Sequence, residues 1–268
     1  MPYRTELMPG VFLTAVQTRK FKSSYWSVRL LTPLTEETAA LNAVLPRVLR
    51  RGTASCPDQE RLAAALDEMY GGAVEPLVGK RGEIHCFGFV ASFLDDALVP
   101  DETPLLDRAA NLLGDLLLRP ATRNGRLRSD YVDGERENLV SEIRSQINDK
   151  RSYAQTRMVE EMCAEEPYRI NRLGSLEQAQ KINVTRLNRY YREVLSTARI
   201  EVYYCGSAAP EQVEQAWREA LMGLPRYQVG QLPETVLGKP AEVRQVTEHL
   251  EVTQGKLVMG FRTGIDLT

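Results

Sequence analysis

The chain has 268 residues, 43% apolar and 26% charged, enough for the core of one large domain or two small ones. Its 34 Lys and Arg against 36 Asp and Glu give a formal net charge of -2, which makes no electrostatic case for a nucleic acid or an anionic membrane as partner. No apolar run approaches the roughly 18 residues of a membrane span, and the opening MPYRTELMPG lacks the basic region and apolar core of a secretory signal. The cysteines, Cys56, Cys86, Cys163 and Cys205, are scattered without a C-x-x-C pair, so they read as free thiols and the expected location is the cytoplasm.

Residues 11–16 and 26–32 are rich in β-branched and aromatic side chains and predict strands, with polar 20–24 as the turn between them. Within 35–51, Leu41, Val44, Leu45, Val48 and Leu49 recur at i, i+3, i+4, i+7 and i+8, which predicts a helix with one apolar face, stopped at Gly52. A second helix is expected over 58–70, with Leu62, Ala65, Leu66 and Met69 inward and Gly71-Gly72 as its stop. Then come a strand at 83–92, a strongly apolar helix at 105–118 ended by Pro120, and helices at 130–148, 153–163 and 184–195. A strand at 200–205 and a helix at 210–222 follow. Strands and helices mix without regular βαβ alternation, so the expected class is α+β.

From 224 to 240 the chain holds Pro225, Pro233 and Pro240 and shows no periodicity, which reads as a linker. Residues 255–262 resume as an expected strand. WSVRLLTPL (26–34) and LVMGFRTGI (257–265) share an apolar alternation and a threonine in register, which suggests that a second copy of a duplicated unit begins near residue 240.

The stretch ALNAVLPRVLRRGTASCPDQERLAAALDEMYGGAV (40–74) resembles the motif region of the pitrilysin/insulinase family of zinc peptidases. There an inverted zinc motif, H-x-x-E-H, precedes Gly-Thr and a second helix that ends in a Gly-Ala turn. Gly52-Thr53 and Gly72-Ala73 match this pattern. GERENLVSEI (134–143) resembles the family's E-R-x-x-V-x-x-E-I helix, residues 165–207 resemble the close of its first half, and VTQGKLVMGFRTG (252–264) resembles the opening of its second. The resemblance implies an α+β fold, a mixed sheet with helices packed on it, as one half of a duplicated clamshell. It implies a first domain over 1–225, a linker over 226–240 and the start of a second like domain over 241–268.

An inverted zinc motif needs two neutral imidazoles one helical turn apart and a carboxylate between them as general base. Aligned on Gly52-Thr53, these positions fall on Ala43, Pro46 and Arg47. Alanine has no donor atom, proline has no carboxylate, and arginine stays protonated and repels a metal. The only histidines are His85 and His249, so neither H-x-x-E-H nor H-E-x-x-H can be written anywhere in the chain. The expectation is a non-catalytic homologue that needs no cofactor, zinc being the cofactor of active relatives. By the resemblance Glu135 matches the distal zinc ligand, and Glu142 lies seven residues on along the same face. The preferred reading of Glu135 is nevertheless an ion-paired or solvated glutamate.

Pro46 costs on the order of 3 kcal/mol inside a helix, so a kink or a break is expected there. His85 reads as a core or cross-strand histidine, Lys80-Arg81 as a surface turn, and Tyr190-Tyr191 and the leucine-rich 112–118 as packing. LPETV at 232–236 resembles a sortase signal but lacks the glycine after threonine, and is read as chance. In the family an edge strand after the Gly-Ala turn pairs with an extended peptide. That implies peptide contacts at Val74, Glu75, Leu77 and Val78, although Pro76 and Gly79 weaken a ladder. The resemblance implies a hetero-oligomer with a catalytic family member, with peptides as further partners. The rival readings are an active zinc endopeptidase with ligands from elsewhere, and a purely structural subunit of a larger complex.

Overall fold

A computed structural model describes residues 2–100, 104–233 and 242–262. The fold opens with β1 (Tyr3–Met8), β2 (Val11–Gln17) and β3 (Ser23–Pro33), then α1 (Glu36–Leu49) and α2 (Gln59–Asp67). β4 (Ala73–Arg81) and β5 (Ile84–Leu94) form a hairpin that leads to α3 (Leu105–Leu118), the short β6 (Thr122–Arg123) and β7 (Arg126–Leu127), and α4 (Ser129–Ser145). α5 (Lys150–Met162), α6 (Leu176–Gln180), α7 (Val184–Thr197), β8 (Arg199–Gly206) and α8 (Pro210–Ala220) complete the elements. Six strands make one mixed sheet in the order β1-β2-β8-β3-β5-β4, in which β2 and β8 are parallel and the other neighbours antiparallel.

Period-two patterning decides which sheet face is covered. Val11, Leu13 and Ala15 of β2, Trp26, Val28 and Leu30 of β3, and Ile200, Val202 and Tyr204 of β8 are buried together. Against them pack the apolar faces of α1, α3, α7 and α8. Trp26 sits at the centre, its ring centroid 4.8 Å from Tyr204, 6.0 Å from Trp217 of α8 and 6.3 Å from Phe93 of β5. The α3–α8 crossing is close because Gly114 has no side chain: a Cβ there would lie 2.5 Å from the Ala220 carbonyl oxygen. Gly174, at φ +74°, turns the chain past α1 with its Cβ direction 2.6 Å from Ala40 N, a conformation and a space that favour glycine.

Each predicted helix is present. Helix ends follow side-chain caps: Thr35, Asp58 and Asn183 each accept from the backbone N–H three residues on. Three departures have physical causes. α1 runs unbroken through Pro46, whose carbonyl still accepts from Arg50 N at 2.9 Å, so the helix is not split there. Lys80-Arg81 is no surface turn but the end of β4, and half-buried Lys80 donates through Nζ to the carbonyls of Tyr168 and Ile170. The 130–148 helix yields at Gln146 to a short 3₁₀ turn, and Asp149 then caps α5.

After α8 the described residues carry no further helix or strand. Residues 226–230 are tied down, not loose: Arg226 donates to the carbonyls of Pro9, Leu195 and Ala198, and Tyr227 N and Gly230 N donate to Ser196 and Thr197. The expected strand at 255–262 does not form, for no strand among the described residues offers it a ladder. Instead 242–262 runs along α5, where Glu248 meets Arg157 Nε at 2.7 Å and Tyr153 Oη at 2.9 Å, and Arg262 pairs with Glu166. Leu257, Met259 and Phe261 stay exposed at 84%, 68% and 81%. Residues 263–268, which include the threonine of the repeat match, and most of LPETV, 234–236, lie outside the described residues.

Candidate functional site

A cavity of about 730 Å³ lies between α1, the edge strand β4 and α4, and Ala43, Pro46 and Arg47 all line it. It brings the three motif positions together with Glu135 and Glu142 of α4 and with Glu75, Pro76, Leu77 and Val78 of β4. Val74, the remaining position expected to meet peptide, is buried in the core instead, and its carbonyl accepts from Arg50 Nε at 2.6 Å.

Two arginine–glutamate ion pairs stand in the cavity. Arg47 Nη2 donates to Glu142 Oε2 at 2.7 Å. Just past the end of α1, Arg51 Nε stands 3.3 Å from Glu135 Oε1, and the buried Glu135 also accepts from Asn138 Nδ2 at 3.2 Å. Thus Glu142, not Glu135, reaches the motif position at 47, while Glu135 reaches Arg51. A divalent cation does not fit this donor set: Ala43 and Pro46 offer no ligand atom, and a guanidinium stands against each carboxylate. Among the described residues no three His, Cys, Asp or Glu side chains group to hold a metal ion.

His85 is remote from zinc chemistry in its bonding. It is fully buried on β5, with Asn42 Nδ2 donating to its Nδ1 at 3.0 Å and its Nε2–H donating to the Arg172 carbonyl at 3.0 Å. Asn42 also donates to Thr32 Oγ1 at 3.2 Å and accepts from Tyr190 Oη, so the buried amide is fully satisfied and ties α1 to β3, β5 and α7. Burial holds the His85 imidazole neutral, pushing its pKa down to about 4 against the opposing hydrogen bond to Arg172, with Lys80 and the Arg172 side chain adding to the fall. From the sequence Tyr190 reads as packing, and no role attaches to Asn42. Their signal was weak, because a buried polar network needs partners from four separate elements.

β4 is a sheet edge, and its outward set of backbone groups can be assigned. Alternate residues of a strand aim their polar groups to one side. The Val74 carbonyl is taken by Arg50, and Pro76, with no N–H, belongs on the side away from the β5 ladder. Val74, Pro76, Val78 and Lys80 therefore face outward. This edge is blunted: Val78 and the Pro76 carbonyl are its main free partners for an added strand.

No protein-family model matches the chain. A Bacillus subtilis (strain 168) protein named "Probable inactive metalloprotease YmfF" is 31% identical over 271 residues, spanning all of this chain and 63% of that protein. A conserved protein from Enterococcus faecalis V583 superposes with a TM-score of 0.79 at 23% identity, over 86% of this chain and 54% of that one. A peptidase M16 inactive domain from Pseudomonas fluorescens does so with a TM-score of 0.65 at 12% identity, over 86% and 52%. The chain thus spans about half to two thirds of the length of these proteins, and its fold is one half of the clamshell they share. Crystal structures of a peptidase M16 inactive domain and of pitrilysin share this mixed sheet at 12% and 17% identity, so the chain has the fold of one half of the pitrilysin-type (M16) metallopeptidases and is a homologue of the Bacillus protein named an inactive metalloprotease.

Proposed function

We propose that this chain is a non-catalytic member of the pitrilysin/insulinase family that works beside an active one, supplying wall and peptide-holding surface to a chamber whose zinc belongs to another polypeptide. The observation that carries this reading is the Arg47–Glu142 ion pair at 2.7 Å, a fixed cation where an active relative needs imidazole. On this reading residues 1–225 are the first domain, 226–240 the linker and 241–268 the start of a second domain. The exposed Leu257, Met259 and Phe261 are then the apolar side of that second unit. The cytoplasm is the proposed location. In support, the four cysteines are free thiols, and no helix among the described residues is long and apolar enough to cross a membrane.

Peptide would lie along β4, pairing with Val78 and the Pro76 carbonyl over the half-buried side chains of Leu77 and Val78. The test is to incubate the zinc-supplemented chain with a labelled, unstructured peptide and follow both anisotropy and cleavage. Saturable binding without cleavage is expected. Cleavage at rates ordinary for peptidases would overturn the reading, and absence of any binding would leave only a structural role.

A further inference from the structure

The charges of the cavity do not balance. Four arginines (Arg47, Arg50, Arg51 and Arg172) line it against three glutamates (Glu75, Glu135 and Glu142). Two of the arginines are spent on Glu142 and Glu135. The other two have no carboxylate within ion-pair distance among the described residues. Arg172 is exposed, and among the described residues its hydrogen bond is through its backbone carbonyl, to His85. Arg50 is half-buried: its Nε is held by the Val74 carbonyl at 2.6 Å, and its terminal nitrogens have no hydrogen bond to the described residues. A guanidinium partly withdrawn from water and left without a counter-ion favours a carboxylate, which it can meet in a two-pronged, charge-assisted pair. Burial accordingly lowers the Arg50 pKa, with Glu75 opposing the shift.

Position adds the second half of the argument. Arg50 is anchored at the Val74 end of the outward β4 edge, while Arg172 bonds through its backbone to His85, which pairs with Lys80 at the other end of that strand. An extended segment laid on the edge therefore runs between two unneutralised cations.

We propose that this cavity recognises the carboxylate of an extended peptide, with Arg50 as the primary anchor and Arg172 as the second cation. The proposal rests on the peptide-holding reading above and names the chemical class that this surface selects.

The experiment uses the full chain and three N-terminally labelled eight-residue Ala/Val/Thr peptides, read by fluorescence anisotropy at low salt. One has a free C-terminus and no acidic side chain, one is amidated with a central Asp, and one is amidated and neutral. At least one carboxylate peptide should bind about tenfold more tightly than the neutral one. Which of the two does so identifies the carboxylate's source, a chain end or a side chain. The preference should weaken as salt rises. Arg50→Gln should reduce it to about twofold or less, Arg50→Lys should keep part of it, and Arg172→Gln, at an exposed site that the fold does not need, should lower it by a smaller factor. If all three peptides bind the wild type alike, the carboxylate proposal fails while peptide holding stands. If none binds, both fail. A preference that survives in both Arg50→Gln and Arg172→Gln also overturns the assignment.

Discussion

Acid should loosen this domain through His85. The folded ring stays neutral down to about pH 4, whereas in the unfolded chain it titrates near its ordinary 6.5. Between those values the unfolded state takes up a proton that the folded state refuses, so stability present above pH 6.5 is lost as the pH falls toward 4. A gap of about 2.5 pH units at about 1.4 kcal/mol per unit amounts to about 3 kcal/mol in the limit, with about 2 kcal/mol gone by pH 5. Protonation would also turn Nδ1 into a donor facing the Asn42 amide, itself a donor at 3.0 Å, inside a site with no water-exposed face. The assay is urea unfolding at 25 °C from pH 7.5 to 4.5 for the wild type and for His85→Gln, which keeps a donor for the Arg172 carbonyl. Asp149, Glu177, Glu214 and Glu248, held below their usual range by hydrogen bonds and cations, lose stabilisation only at lower pH and do so in both proteins. The difference between the two curves therefore isolates the histidine. The variant should be less stable at pH 7.5, and the gap should narrow by about 2 kcal/mol at pH 5. Parallel curves over that range would refute the reasoning.

Three substitutions probe packing and the motif helix. Gly114→Ala should destabilise by about 1–3 kcal/mol in thermal or urea unfolding. A Cβ 2.5 Å from the Ala220 carbonyl overpacks the α3–α8 contact by more than the roughly 1 kcal/mol that alanine gains in a helix; a gain in stability would contradict this. Pro46→Ala should stabilise by about 1 kcal/mol or more, because α1 is already continuous and gains an N–H donor; a fall would mean that the pyrrolidine ring's packing in the cavity outweighs the strain. The combined Ala43→His, Pro46→Glu, Arg47→His protein should not become an efficient peptidase. Arg51 remains against Glu135, and nothing orients the new imidazoles; turnover of an unstructured peptide at ordinary enzyme rates would show otherwise.

Most of the fold was legible because it rests on local periodicity. Leu41, Val44, Leu45, Val48 and Leu49 announce the buried face of α1, and Thr35, Asp58 and Asn183 mark helix starts to within a residue. Two hairpins were missed despite their turns. Pro9-Gly10 joins β1 to β2, with Gly10 at φ +71°, and Asn124-Gly125, both at positive φ, forms the tight turn between β6 and β7. The strand expected at 255–262 failed for the converse reason: alternation proposes a strand, but a ladder needs a neighbour. At the site, the lack of any H-x-x-E-H pattern could be counted from the sequence, whose two histidines stand at 85 and 249. The ion pairs that stand in the cavity could not. The Arg47–Glu142 pair joins residues 95 positions apart. Which of Glu135 and Glu142 meets position 47 depends on how α4 is rotated against α1, a tertiary fact that no spacing within either helix encodes.

The central claim is that this chain makes no zinc centre at the motif helix. Zinc titrated calorimetrically into the metal-free full chain, with elemental analysis of the dialysed product, tests it most directly. The account predicts no stoichiometric site of nanomolar affinity, and no change when Glu142 is replaced by Gln. One zinc per chain at that affinity, lost in Glu142→Gln, would contradict it.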